Sequence, residues 1–275
     1  MSYKTILVHT DADPTAEARV RLAAGLARHH DARLIGAAAR LPAPLLEVYA
    51  AGTAVVSAGL VDVATEETET AFKTAESLFH GWVMGDGLGT EWRAVVDFPT
   101  VAIAAMAATA DLVVVGRADR SEPHGSQYLD PGELIMKAGR PVLVVPPGCD
   151  ALNSENVLVA WKNTREARRA LADALPFLKE AEQVTLLRVT EADGGTAGLA
   201  DTVAFLARHG IKASPDTVSP DHQAVAERIV AAARQKRSGL IVAGAYGHTR
   251  IREWAFGGVT RDLLAVCPVP CLFSR

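Results

Sequence analysis

The residues with the most chemical content lie near the C-terminus, where the chain runs Gly244-Ala-Tyr246-Gly247-His-Thr-Arg-Ile-Arg-Glu-Trp-Ala-Phe-Gly257-Gly258-Val259-Thr260. The spacing is G-x2-G-x9-G-G-x-T. Glycines at a strand end let the backbone turn and let a ligand approach without a Cβ in the way. Gly257 and Gly258 precede an expected helix, Val259–Val266, and the free N–H groups of a helix N-terminus favour an anion. With a buried strand before the segment and a helix after it, the chemistry indicated is phosphate or nucleotide binding. Plain turn chemistry is the alternative for any glycine pair in a loop.

The elements that must position this segment follow from periodicity. Thr5–His9 (TILVH) is a short, unbroken, β-branched run, as suits a strand buried on both faces of a parallel sheet. A turn at Asp11-Ala-Asp-Pro-Thr leads to helical spacing over Ala16–His30 and a second buried strand at Ala32–Ala39, which makes a βαβ unit. The order returns from Asn156, with VLVAW, a polar turn from Lys162, a helix to about Lys179 and the strand QVTLLRVT. Ile6-Leu-Val matches Val157-Leu-Val at an offset of 151 residues. Asp111-LVVVG matches Gly239-LIVAG at 128, and Arg140-PVLVVP matches Cys267-PVPCLF at 127. Three matches in one order indicate a duplicated unit whose first copy carries about 23 extra residues. Those are expected in Leu41–Gly59, as an ordered surface loop with a short helix or as a flap over a crevice.

Pro146–Glu155 reads as a linker, so the expected domains are residues 1–147 and 156–275. Each alternates β and α throughout, which predicts an α/β fold of two tandem, doubly wound, five-stranded parallel sheets with helices on both faces. Ligands in such sheets sit beyond the carboxyl ends of the strands.

Composition narrows the function classes. The 275 residues carry a net charge of −4, and their 28 Lys and Arg are dispersed, which argues against a nucleic-acid surface. Three cysteines, an odd number in a long chain, suggest no disulfide framework and fit a reducing cytoplasm. The N-terminal apolar run is short and ends at a carboxylate, unlike a signal peptide or membrane anchor, and no stretch approaches the roughly 20 apolar residues of a spanning helix. A cytoplasmic protein without a membrane partner is expected.

The motif, the duplicated unit and the run REWAFGGVTR resemble the universal stress protein family in its tandem two-domain form, over essentially the whole chain. The resemblance implies a stress-response role, strand order 3-2-1-4-5 in each copy, and ATP, with or without Mg2+, as the ligand. Carried over, it places Gly244, Gly247, Gly257, Gly258, Val259 and Thr260 around the phosphates and ribose, with Tyr246 between the first two glycines. It places Ala160, Trp161 and Lys162 beside the adenosine and Val189 near the adenine. Two departures stand out: the family's carboxylate after the first strand is Lys162, and the usual hydroxyl residue after the third motif glycine is Gly258. Copy one departs further, with Asp119 in place of the second glycine and Asp130-Pro131 in place of the Gly-Gly pair. A carboxylate there repels phosphate and Pro131 lacks an N–H, so copy one reads as a degenerate site. Asp11 survives at its strand end and reads as a turn and cap residue. Family pairing through the last strand implies that Pro141–Val145 and Val269–Ser274 meet as an internal pseudo-dimer; a further homodimer is a possibility.

Other constellations carry less. The histidines, among them His29-His30, His124 and His248, show no metal-ligand spacing with Cys or carboxylates, so no metal site is expected. Neither Ser57 nor Ser126 lies in a nucleophile elbow, and no catalytic residues are identified. Cys271 reads as a small core residue, and the helix over Val61–Val83 is expected to face the core through Val63, Phe72, Leu78 and Phe79. The leading function is an adenine-nucleotide-binding signalling module. The alternatives are a slow ATP hydrolase and a scaffold that binds no nucleotide or an apolar ligand.

Overall fold

The computed structural model describes residues 2–13, 16–42, 58–83, 87–117, 128–190, 198–219, 224–247 and 258–275. The first half runs β1 (Thr5–His9), α1 (Ala16–His30), β2 (Arg33–Ala39), α2 (Ala58–Val83), β3 (Thr90–Val95), α3 (Pro99–Met106), β4 (Leu112–Gly116), α4 (Pro131–Lys137) and β5 (Val142–Val145). The second runs β6 (Asn156–Ala160), α5 (Arg165–Asp173), α6 (Leu175–Glu180), β7 (Gln183–Val189), α7 (Leu199–Arg208), β8 (Ala213–Val218), α8 (Val225–Gln235), β9 (Leu240–Gly244), α9 (Gly258–Val266) and β10 (Cys271–Ser274).

All ten strands form one sheet, β3-β2-β1-β4-β5-β10-β9-β6-β7-β8, which is order 3-2-1-4-5 written twice. Neighbours within each half are parallel. The halves join where β10 meets β5 antiparallel, Leu272 opposite Leu143, so the two last strands meet as expected.

Successive side chains on a strand point to opposite faces, and two apolar layers result. Ile6, Val8, Val114, Val157, Val159 and Leu272 belong to one. Leu7, Val113, Val115, Leu158, Ile241 and Phe273 belong to the other. Each layer runs without a break across the β5–β10 joint. Tyr3 strengthens the joint on the first face: its hydroxyl donates to the Asp173 carbonyl at 2.7 Å, and its ring lies 5.3 Å from that of Phe177.

Three local expectations need correction. The helix predicted to run to about Lys179 is two helices, because Pro176 cannot donate a backbone hydrogen bond and so sits in the first turn of a new one. Much of the extra length of the first half is helix: α2 has 26 residues against 10 in its counterpart α7. Of the expected loop, residues 43–57 lie outside the described residues. On α2 the face toward the core is Thr68, Ala75, Phe79 and Val83, whereas Val63 is 56% exposed and Phe72 and Leu78 are half-buried. Cys271 is a core residue as read, its sulfur 2.8 Å from that of the equally buried Cys267. No helix among the described residues is long and apolar enough to cross a membrane.

Candidate functional site

In the second half, β6 is flanked by β7 on one side and β9 on the other. Strand order reverses about such a strand, and the crevice lies beyond its carboxyl end. Ala160 ends β6, Val189 ends β7 and Gly244 ends β9, so the sequence-predicted residues from three segments converge on this edge. Trp161 is buried and donates its N–H to the Leu187 carbonyl at 2.7 Å, the last ladder bond between β6 and β7; Lys162, next, is exposed. Thr164 caps α5, its hydroxyl accepting from Ala167 N–H at 3.3 Å.

The reason for glycine differs between the two described motif positions in the strand-end turn. A Cβ on Gly244 would lie 2.4 Å from the backbone nitrogen of Ala167, so Gly244 is what lets α5 start against the end of β9. A Cβ on Gly247 would lie 3.0 Å from Glu166 Oε2 and 3.3 Å from Thr164 Oγ1. The left-handed residue in this turn is Tyr246, with φ 56°. Its N–H reaches Thr260 Oγ1 at 3.4 Å, which ties the turn to α9 from within, since Thr260 is buried. The Tyr246 hydroxyl would be 2.7 Å from a Cβ on Gly132, so its ring crosses the joint to the start of α4. Burial there, and then the nearby Asp130 carboxylate, push the phenol up to about 12. Gly258 opens α9 and Val259 is 37% exposed beside it. Gly257, and with it Arg250 and Arg252, lies outside the described residues.

Sequence reasoning missed Glu166. It reads as one more charged residue of a helix, yet its side chain is buried beside Gly247. Burial raises its pKa, but hydrogen bonds from its own backbone N–H and from Arg165 outweigh that and hold it below the usual carboxylate range. Arg165 Nε donates to Glu166 Oε1 at 3.0 Å. Arg165, Arg169 and Arg275 line an open depression of about 420 Å3. Its place at the start of α5 and just past β10 is the same carboxyl edge, with Arg165 paired to Glu166 and Arg169 to Asp173, each at 3.0 Å.

The first half is built differently at its own carboxyl edge. Arg19 of α1, nearly buried, donates from Nε to the His9 carbonyl at 2.7 Å and from Nη2 to Asp11 Oδ1 at 2.9 Å. A Cβ on Gly116 would meet Arg19 Nη1 at 2.9 Å. The crevice is therefore filled by the protein's own ion pair, and Asp11, read as a turn and cap residue, is the arginine's partner. At the start of α4, Asp130 Oδ1 accepts from Glu133 N–H at 2.8 Å and Pro131 takes the first turn, so this helix end is satisfied by its own carboxylate. Asp119 lies outside the described residues. Burial lowers the pKa of His9, behind Arg19, to about 4.

No protein-family model and no curated protein sequence matches the chain. Solved structures do. A universal stress protein from Archaeoglobus fulgidus DSM 4304 superposes with a TM-score of 0.74 at 16% identity, covering 98% of this chain and 96% of that one. A provisionally assigned universal stress protein from Pseudomonas aeruginosa UCBPP-PA14 gives 0.55 at 17% identity, covering 99% and 93%. A functionally unknown protein from Pseudomonas aeruginosa PAO1 gives 0.54 at 17%, covering 99% and 92%. Identities this low speak to architecture and not to ligand. With its order of 3-2-1-4-5 written twice across one antiparallel joint, this chain has the universal stress protein fold in tandem form.

Proposed function

We propose that the chain is an adenine-nucleotide-binding signalling module of the universal stress type, with one ATP site in the second half. In this reading residues 1–147 and 156–275 are two duplicated units, of which the first keeps the fold and has lost the site. The observation that carries the reading is the contrast at the carboxyl edge. Arg19, Asp11 and Asp130 occupy it in the first half, whereas the second presents Gly247, the start of α9 and an arginine-lined depression.

Phosphates are placed against the N-terminus of α9 and the arginines, where the helix dipole and guanidinium groups favour negative charge. Lys162, exposed at the end of β6, is placed beside the nucleoside and within a flexible side chain's reach of the phosphates. The Glu166 carboxylate beside Gly247 suits a Mg2+ ion accompanying them. Thr260, whose hydroxyl already accepts from Tyr246 N–H, is given the task of holding the loop in shape.

Calorimetric titration with ATP tests this. Saturation is expected at one site per chain, with binding abolished in Gly247→Asp, which adds a carboxylate where Glu166 already stands. Asp119→Ala is expected to leave affinity unchanged. Two equal sites, or full affinity in Gly247→Asp, would end the proposal.

A further inference from the structure

Away from the carboxyl ends of the strands, where α1 and α6 end, the joint between the halves holds a cluster that the proposed nucleotide site does not use. His29 and His30 are the last two residues of α1, and Glu180 is the last of α6. His29 Nε2 lies 2.7 Å from Glu180 Oε2. One ring nitrogen from each histidine and a carboxylate oxygen of Glu180 all fall within 4.8 Å of one another. We propose that His29, His30 and Glu180 form a binding site for a divalent first-row transition ion of the zinc class, shared between the two halves of the chain.

The donor set suits such an ion, because imidazole and carboxylate together select borderline metals over calcium or magnesium. A second observation points to a ligand. His30 is 5% exposed and its Nε2 is buried without a hydrogen-bond partner, wedged among the rings of Tyr3 at 5.1 Å and Phe177 at 5.9 Å. A buried imidazole nitrogen with no partner carries its whole desolvation cost, and a metal ion is one means of offsetting it. The cluster opens on a cavity of about 530 Å3, large enough for the ion and for water to complete its coordination, with Asp150 also on its wall. Ligand atoms on one tetrahedral zinc are separated by roughly 3.3 Å, given bonds of about 2.0–2.1 Å. Coordination therefore needs the His29–Glu180 contact to open slightly and His30 to close in. His29 and Glu180, at 55% and 44% side-chain exposure, have room to adjust.

The position has a reason in the duplication. His29 and Glu180 are 151 residues apart, the offset that relates the first strands of the halves, so they are counterparts facing each other across the joint. In a symmetric pair of identical chains the same residue would meet itself there. Here divergence has put an imidazole against a carboxylate, with His30 alongside. No spacing rule within one segment detects ligands so far apart in sequence, and the expectation of no metal site rested on such spacing. A bound ion would clamp α1 to α6.

Equilibrium dialysis of the tag-free full chain against Zn2+, after chelator treatment, tests the site, with thermal unfolding followed with and without the ion. The expected result is one zinc per chain and a zinc-dependent rise in Tm, as follows when an ion binds only the folded state. His29→Ala and Glu180→Gln, both at exposed positions, should each weaken binding at least about tenfold and remove the zinc-dependent part of the rise. His80→Ala, at an exposed histidine of α2, should change neither. A cobalt-loaded chain should show visible absorption that His29→Ala lacks. Failure of the native chain to bind zinc would overturn the proposal, as would undiminished binding in both His29→Ala and Glu180→Gln. In the latter case the His29–Glu180 contact is a hydrogen bond and nothing more.

Discussion

The two carboxyl edges of this sheet come from one duplicated plan and have opposite contents. Beyond β1 and β4, Arg19 reaches out of α1 to the His9 carbonyl and Asp11, and lies over Gly116. The counterpart of Arg19 at an offset of 151 is Ala170, whose methyl group is too short to reach the crevice. The counterparts of His9 and Asp11 are Ala160 and Lys162. Gly116 and Gly244 correspond too, yet the first faces the far end of a flexible side chain and the second faces backbone. One strand order can therefore carry a filled crevice and an open one, because residues just past the strand ends leave the core untouched when they change.

The comparison is sharpest at the two glycines. Gly244→Ala would press a methyl onto the Ala167 backbone, and a rigid overpacked contact is expected to cost about 2–3 kcal/mol. Gly116→Ala has only to displace the tip of Arg19 and should cost less than about 1 kcal/mol. Urea unfolding midpoints of the two variants measure the difference; equal losses would show that the edges do not differ as described.

Protonation gives the next largest effect, and it belongs to the first half alone, since Ala160 replaces His9 in the second. A histidine lowered to about 4 in the folded chain binds its proton more readily when unfolded. Its contribution is intact above the ordinary histidine range and is lost as pH falls from about 6.5 toward 4. With the His9 side chain partly covered by its neighbours, the loss is expected to be up to about 2 kcal/mol. His30, also lowered by burial, titrates in the same direction, so His9→Gln is needed to isolate the effect. Stability profiles that fall equally steeply in native and variant chains would exclude His9.

Arg19→Ala empties the first crevice. Asp11 is 45% exposed, so little of the ion pair's Coulomb energy survives screening. The lost hydrogen bond to His9 and the lost packing of the stem are expected to cost about 1–2 kcal/mol. ATP stoichiometry should stay at one, since Asp130 still occupies the start of α4. A second ATP bound by this variant would show that Arg19 by itself separates the halves.

The smallest effect is at Lys162. In the proposed ATP site, Lys162→Asp would restore an acceptor beside the nucleoside and remove a cation near the phosphates, each worth about 0.5–1.5 kcal/mol. The gap between AMP and ATP affinity should narrow, and the salt dependence of ATP binding should weaken with it. Unchanged affinities for both nucleotides would make Lys162 an ordinary turn residue.

Much of this architecture is legible before folding. β1 spans the expected Thr5–His9, α1 the expected Ala16–His30, and the meeting of the last strands follows from the resemblance drawn on the glycine motif. Runs of β-branched residues and a repeating offset are local or self-referential signals, so a linear string preserves them. The break at Pro176 is equally visible, but helical spacing on either side of it masks it.

The amino-acid sequence by itself determined the alternation of strands and helices, the duplication, and the placing of glycines at the end of β9 and the start of α9. It did not determine what each crevice contains. That Arg19 meets Asp11, that Glu166 lies beside Gly247 and that His29 faces Glu180 depend on how far each helix is rotated as it packs on the sheet. They depend also on where the antiparallel joint brings the halves together. A helix shows one face to the core and turns about 100° per residue, so which polar side chain lands at a strand end is settled only when the sheet, the helix and the opposite half are packed at once.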